Sequence, residues 1–123
     1  MNFADYIYVD DYAYGKYKKI ENIIVNQKKY VEESFYAIIL NEYTSKIEFE
    51  EWVYLQQRHY KLNPPTLVGL AKDYDSAQKI ACIMVKTCFQ EIGKLDYIAY
   101  LASLPECENE TNLILVSGGK IND

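Results

Sequence analysis

Between Thr66 and Val116 the chain punctuates itself, and this limits the folds open to it more than any other feature. Thr66-Leu67-Val68-Gly69-Leu70-Ala71 is a short apolar run of the kind that forms a central strand, with Gly69 leaving room for a packed helix. Asp75 then supplies an N-cap, Ala77, Ile80, Ala81, Met84 and Cys88 recur at helical intervals, and Gly93 offers the left-handed residue that ends a helix. Asp96 caps a second helix reaching Leu104, with Tyr97, Ile98 and Leu101 inward and Pro105 as its stop. Beyond the polar stretch from Glu106 to Asn112, Leu113-Ile114-Leu115-Val116 reads as another buried strand. A strand, two helices and a strand fit a right-handed parallel crossover, with an antiparallel arrangement as the competing solution.

The N-terminal half is less sharply marked. Residues 3–9 alternate an Asp/Tyr set with an Ile/Val set, which predicts a half-buried strand ended by Asp10 and Asp11. The β-branched cluster within Ile20 to Val25 predicts a second strand, followed by a turn at Asn26 to Lys29. Over residues 30–43, Val31, Phe35, Ile38 and Ile39 fit a helical stripe, yet Phe35 to Leu40 also reads as a continuous strand. The density of β-branched and aromatic residues favours the strand, reached by a hairpin through Lys28-Lys29. Ser45 with Glu48 forms a capping-box pattern, and Arg58, His59 and Lys61 crowd the other end, so a helix is expected over 46–60. The competing strand alternates Glu48, Glu50, Trp52 and Tyr54 against Phe49, Val53 and Leu55. Together these elements predict an α+β fold: a small mixed or antiparallel sheet packed against two or three helices, with the helices in a single layer on one face. Residues 1–117 form one domain, and Gly118-Gly119 releases 118–123 as a flexible C-terminal tail.

At 123 residues, half of them hydrophobic and a quarter charged, the chain has material for one core. Its longest membrane-like run, Ile80 to Val85, meets Lys86 far short of a span, and Met1 to Asp5 lack a basic-then-apolar leader, so a cytoplasmic protein is expected. Cys82, Cys88 and Cys107 match no zinc spacing; the first two read as small packed hydrophobes, and Glu106, Glu108 and Glu110 disfavour a thiolate at Cys107.

Most functional motifs are missing. With one arginine, Arg58, and no basic stripe beyond Lys16-Tyr17-Lys18-Lys19 and Lys28-Lys29, direct nucleic-acid binding is disfavoured. His59, the single histidine, is explained by the predicted helix end rather than by catalysis. Gly15-Lys16 and Gly118-Gly119 do not make a phosphate loop, and no cofactor is implied. The short acidic clusters at Asp10-Asp11, Asp73-Asp75 and Glu106 to Glu110 lack calcium-loop spacing and read as caps and loops, so no metal site is assigned.

Tyrosine is the outlier: 13 residues, with Tyr6, Tyr8, Tyr12, Tyr14 and Tyr17 set beside Asp10 and Asp11. Tyrosine gives broad contact at low entropy cost and suits binding surfaces, although the rings would equally cover a sheet. With Tyr6 and Tyr8 outward and Ile7 and Val9 inward, the first strand would present an acidic aromatic ladder. The expected function is a non-catalytic protein-binding module, in the manner of a small acidic inhibitor or immunity-type protein that masks a basic surface. One alternative is a nucleotide-like small-molecule binder that stacks its ligand on Trp52 beside Arg58 and His59; another is an enzyme whose carboxylates converge in the fold. Exposed tyrosines and a sheet edge also leave a homodimer open.

Overall fold

Toward the end of the first strand, Ile7, Tyr8 and Val9 are buried in succession, which demands cover on both faces of the sheet. The computed structural model describes residues 2–26, 34–41, 46–56, 65–94, 96–104, 112–117 and 120–121. Strand β1 (Asn2–Val9) leads into α1 (Asp11–Gly15) and α2 (Tyr17–Val25). Next come β2 (Tyr36–Asn41), β3 (Lys46–Glu51), a 3-10 turn (Trp52–Gln56) and β4 (Thr66–Ala71). The chain continues through α3 (Tyr74–Ile92), α4 (Tyr97–Ser103), β5 (Asn112–Ser117) and the two-residue β6 (Lys120–Ile121). None of these helices is long and apolar enough to cross a membrane.

The strand order is β3-β2-β4-β1-β5-β6. β1 lies between β4 and β5 and runs parallel to both, whereas β2 is antiparallel to β3 and β4, and β6 to β5. The fold is thus α+β with a mixed sheet packed against helices, and the two-helix link from β4 to β5 is a parallel crossover that passes over β1.

The expected single helical layer is corrected: helices cover both faces. On one side Ile7, Val9, Ala37, Ile39 and Leu67 pack with Ala13 of α1, Ile20, Ile23 and Ile24 of α2, and Trp52. On the other, Tyr8, Ile38, Leu40 and Val68 pack with Ala77, Ile80, Met84 and Cys88 of α3 and Tyr97 and Tyr100 of α4. Runs such as Ala37-Ile38-Ile39-Leu40, buried at every position, leave no face for water. A register slip in the β2–β4 pairing, with Ile38 opposite Gly69 but Ile39 opposite Leu67, inserts one residue into β4. That bulge places Leu67 and Leu70 on the same face despite their odd spacing.

Other expectations change as well. Residues 17–25 are helical, not a strand: Tyr17, Ile20, Ile23 and Ile24 are buried at three- and four-residue spacing, so the helical period outweighs β-branching. The helix expected over 46–60 is β3 followed by the 3-10 turn; Ile47 and Phe49 pack on the α3 side, which is the competing alternation. Residues 57–60 lie outside the described residues, as does the Lys28-Lys29 hairpin. Asp73 rather than Asp75 caps α3, while Gly93 (φ 71°) ends it and Asp96 caps α4 as expected. Ile98 turns outward and Tyr100 inward, Cys82 is exposed rather than packed, and part of the expected tail pairs with β5 as β6.

Gly69 makes room for its neighbouring strands rather than for a helix. A Cβ there would sit 2.8 Å from Ile38 Cδ1 and 3.2 Å from the Tyr8 carbonyl oxygen. Gly69→Ala is therefore expected to cost about 1–3 kcal/mol by urea denaturation, and Ile38→Val in the same chain to recover part of it by removing Cδ1. Beneath α4, burial first and the neighbouring Tyr100 second push the Tyr8 phenol up; burial and then Tyr8 do the same for Tyr97. Because both folded values lie above the unfolded one, this stabilisation is complete below about pH 10 and is lost as pH rises beyond it. An alkaline titration followed by circular dichroism should show unfolding in that range, with a shallower slope for Tyr97→Phe.

Candidate functional site

Where β1 and β4 end side by side, their continuations part: β1 enters α1 on one face of the sheet and β4 enters α3 on the other. Such a divergence opens a crevice at the carboxyl ends of the strands. Asp10 closes its floor. Asp10 Oδ1 accepts from the Ala13 amide at 2.7 Å, capping α1, while Oδ2 accepts from the Lys72 amide at 2.8 Å and from Ser76 Oγ at 2.7 Å. Only 8% exposed, this carboxylate has donors for both oxygens, which is what makes its burial tolerable. Ser76 completes the brace, since its amide donates to Asp73 Oδ1 at 2.9 Å and caps α3.

Above the brace lies an open cleft of about 410 Å³. Asp10, Asp11, Asp73 and Asp75 line it, with Lys72, Lys79 and Tyr12. Lys79 already pairs with Asp75 at 3.0 Å, an exposed contact screened by water. The cleft is therefore acidic on balance, favouring cations and repelling phosphate. Asp10 and Asp73 serve as helix caps, and among the described residues no three His, Cys, Asp or Glu side chains are grouped as metal ligands.

The acidic rim continues toward the edge of the sheet. Tyr74, 56% exposed, stands edge-on to Phe49 at 5.2 Å and to Tyr36 at 6.2 Å. Desolvation first, and then the charges of Glu51 and Glu50, push the Tyr36 phenol up. Asp11, Asp73, Tyr74 and Asp75 are all exposed on this rim.

The ladder expected on β1 does not form, because both faces of that strand are covered. Tyr8 is 2% and Tyr17 7% exposed, both in the core; Tyr6 and Tyr12 are half-buried, and Tyr14, at 54%, is open to solvent. Asp11 and Tyr12 do reach the cleft, and Asp10 underlies it. Trp52, expected to stack on a ligand, is 2% exposed and stacks on Phe35 at 5.7 Å; Arg58 and His59 lie outside the described residues. Sequence reading missed that Lys72, Asp73, Asp75 and Ser76 meet Asp10 and Asp11. The signal was present: Val9-Asp10-Asp11-Tyr12 and Ala71-Lys72-Asp73-Tyr74 each set an Asp-Tyr pair just past an apolar strand.

Asp10→Ala would leave the Ala13 and Lys72 amides and the Ser76 hydroxyl without their acceptor. Its expected cost is about 2–4 kcal/mol in chemical denaturation, and less for Asp10→Asn, which can still cap α1.

Comparison with family models, with curated proteins and with solved structures finds no match for this chain.

Proposed function

We propose that the chain is a non-catalytic protein-binding module that takes a basic surface of its partner against the acidic rim at the carboxyl ends of β1 and β4. It would act in the manner of a small inhibitor or immunity-type protein, in a cytoplasm where Cys82 and Cys88 persist as free thiols. The observation that carries this reading is the meeting of exposed Asp11, Asp73 and Asp75 around one cleft, on helix ends locked together through Asp10 and Ser76. Carboxylates fixed in place lose little freedom when a lysine or arginine arrives, and their field speeds encounter. Tyr74 adds an exposed aromatic surface beside them.

Neither alternative draws equal support. A nucleotide would bring phosphates to an acidic cleft, and Trp52 is already stacked within the core. An enzyme of paired carboxylates gains their convergence, yet Asp10 and Asp73 are held as caps and Asp75 faces Lys79.

The test is capture of partners from the native host at low and moderate salt, followed by kinetics with the chain and its Asp11→Asn, Asp75→Asn double variant. The association rate is expected to fall about tenfold in the variant and its salt dependence to flatten, with the circular dichroism unchanged. Equal rates for both proteins would remove the rim from the binding surface.

A further inference from the structure

We propose that β3 is a docking edge, to which an extended segment of a protein partner, alternating lysine or arginine with apolar residues, adds as a further strand. The inference rests on the reading of this chain as a binder of basic partners, but it names a different surface and mode.

β3 is last in the strand order, and no described strand pairs with its outer side. Its pairing with β2 runs unbroken from Tyr36 opposite Glu51 to Asn41 opposite Lys46, without the bulge that distorts β2 against β4. The Trp52 amide donates to the Phe35 carbonyl at 2.9 Å, which fixes the phase of the ladder. Backbone groups of Lys46, Glu48 and Glu50 consequently turn toward β2, and those of Ile47, Phe49 and Glu51 turn outward. Here a straight edge offers the alternate donors and acceptors that strand addition uses.

The two faces of this edge differ. Ile47 and Phe49 pack on the α3 side, where Phe49 meets the exposed Tyr74. Glu48 and Glu50 stand on the opposite face, half-buried. A strand laid alongside would meet Lys46, Glu48 and Glu50 along one face and Ile47, Phe49 and Glu51 along the other, so residues set against Glu48 and Glu50 are basic and those set against Ile47 and Phe49 apolar. A second copy of this chain fits less well. Two antiparallel registers keep the faces of a second copy matched over five residues. One sets Glu48 opposite Glu50, and the other sets Glu48 opposite Glu48 with Lys46 opposite Glu50 at the ends, whereas a basic strand meets opposite charge at both glutamates. Glu48 and Glu50 thus favour a basic strand over a second copy.

The experiment uses the intact chain and a short synthetic peptide alternating lysine and valine, with the same peptide methylated on its backbone nitrogens as control. Calorimetry at low salt should register binding, and amide exchange by NMR should slow at Ile47, Phe49 and Glu51. Affinity should drop by about tenfold or more for the methylated peptide and for Glu48→Lys, Glu50→Lys, while Asp11→Asn, Asp75→Asn binds as the parent does. Absence of binding, equal binding of the methylated peptide, or self-association through β3 would overturn the proposal. Slowed exchange confined to Asp73 through Ser76, with binding lost in Asp11→Asn, Asp75→Asn, would overturn it too while leaving the rim reading intact.

Discussion

The carboxylate of Asp10 is the joint on which this end of the molecule depends. Set at the end of the central strand, it caps the helix that turns to one face and holds the loop that starts the helix on the other. A neutral amide could satisfy only part of this set, since it offers one accepting oxygen where the carboxylate offers two. The divergence of β1 and β4 creates the crevice, and the same joint keeps it from splaying. Fold and site therefore share one group.

The acids on the rim follow from local rules before any binding is considered. Helix N-termini favour carboxylates at the cap and in the first turn, so two helices starting side by side gather aspartates: Asp10 and Asp11 from one, Asp73 and Asp75 from the other. Capping engages Asp10 and Asp73 with amides of their own helices, while Asp11 and Asp75 follow in the first turns, exposed, with Asp75 paired to Lys79. Capping therefore falls to the carboxylate that precedes each helix, and the neighbouring first-turn acids remain at the surface.

Much of the secondary structure was legible in the sequence, and least where two periods overlapped. From Thr66 to Val116 the caps, the Gly93 stop and the apolar spacing agree with one another, and the structure follows them almost throughout. Ile20 to Val25 misled because β-branched composition pointed one way and buried spacing the other; Lys46 to Gln56 misled because a cap-like pattern outweighed true alternation. Helices on both faces could have been inferred from Ala37 to Leu40, buried without a polar break. The site was harder to see. Asp10 and Ser76 are sixty-six positions apart, and only the parallel pairing of β1 with β4 brings them into contact.

That pairing also governs how the chain reaches its structure. β1 is made first but is flanked by β4 and β5, whose residues follow some sixty and more than a hundred positions later. Until β4 and β5 are made its strand neighbours are absent, so the nascent strand carries two unpaired edges and, on the side that α3 and α4 later cover, an uncovered apolar face. Contacts this distant in sequence close slowly, because loop entropy is lost before they form. The placement of the oldest strand at the centre of the sheet makes completion of the fold a late event and gives the half-made chain its strongest dependence on being kept from other exposed strands.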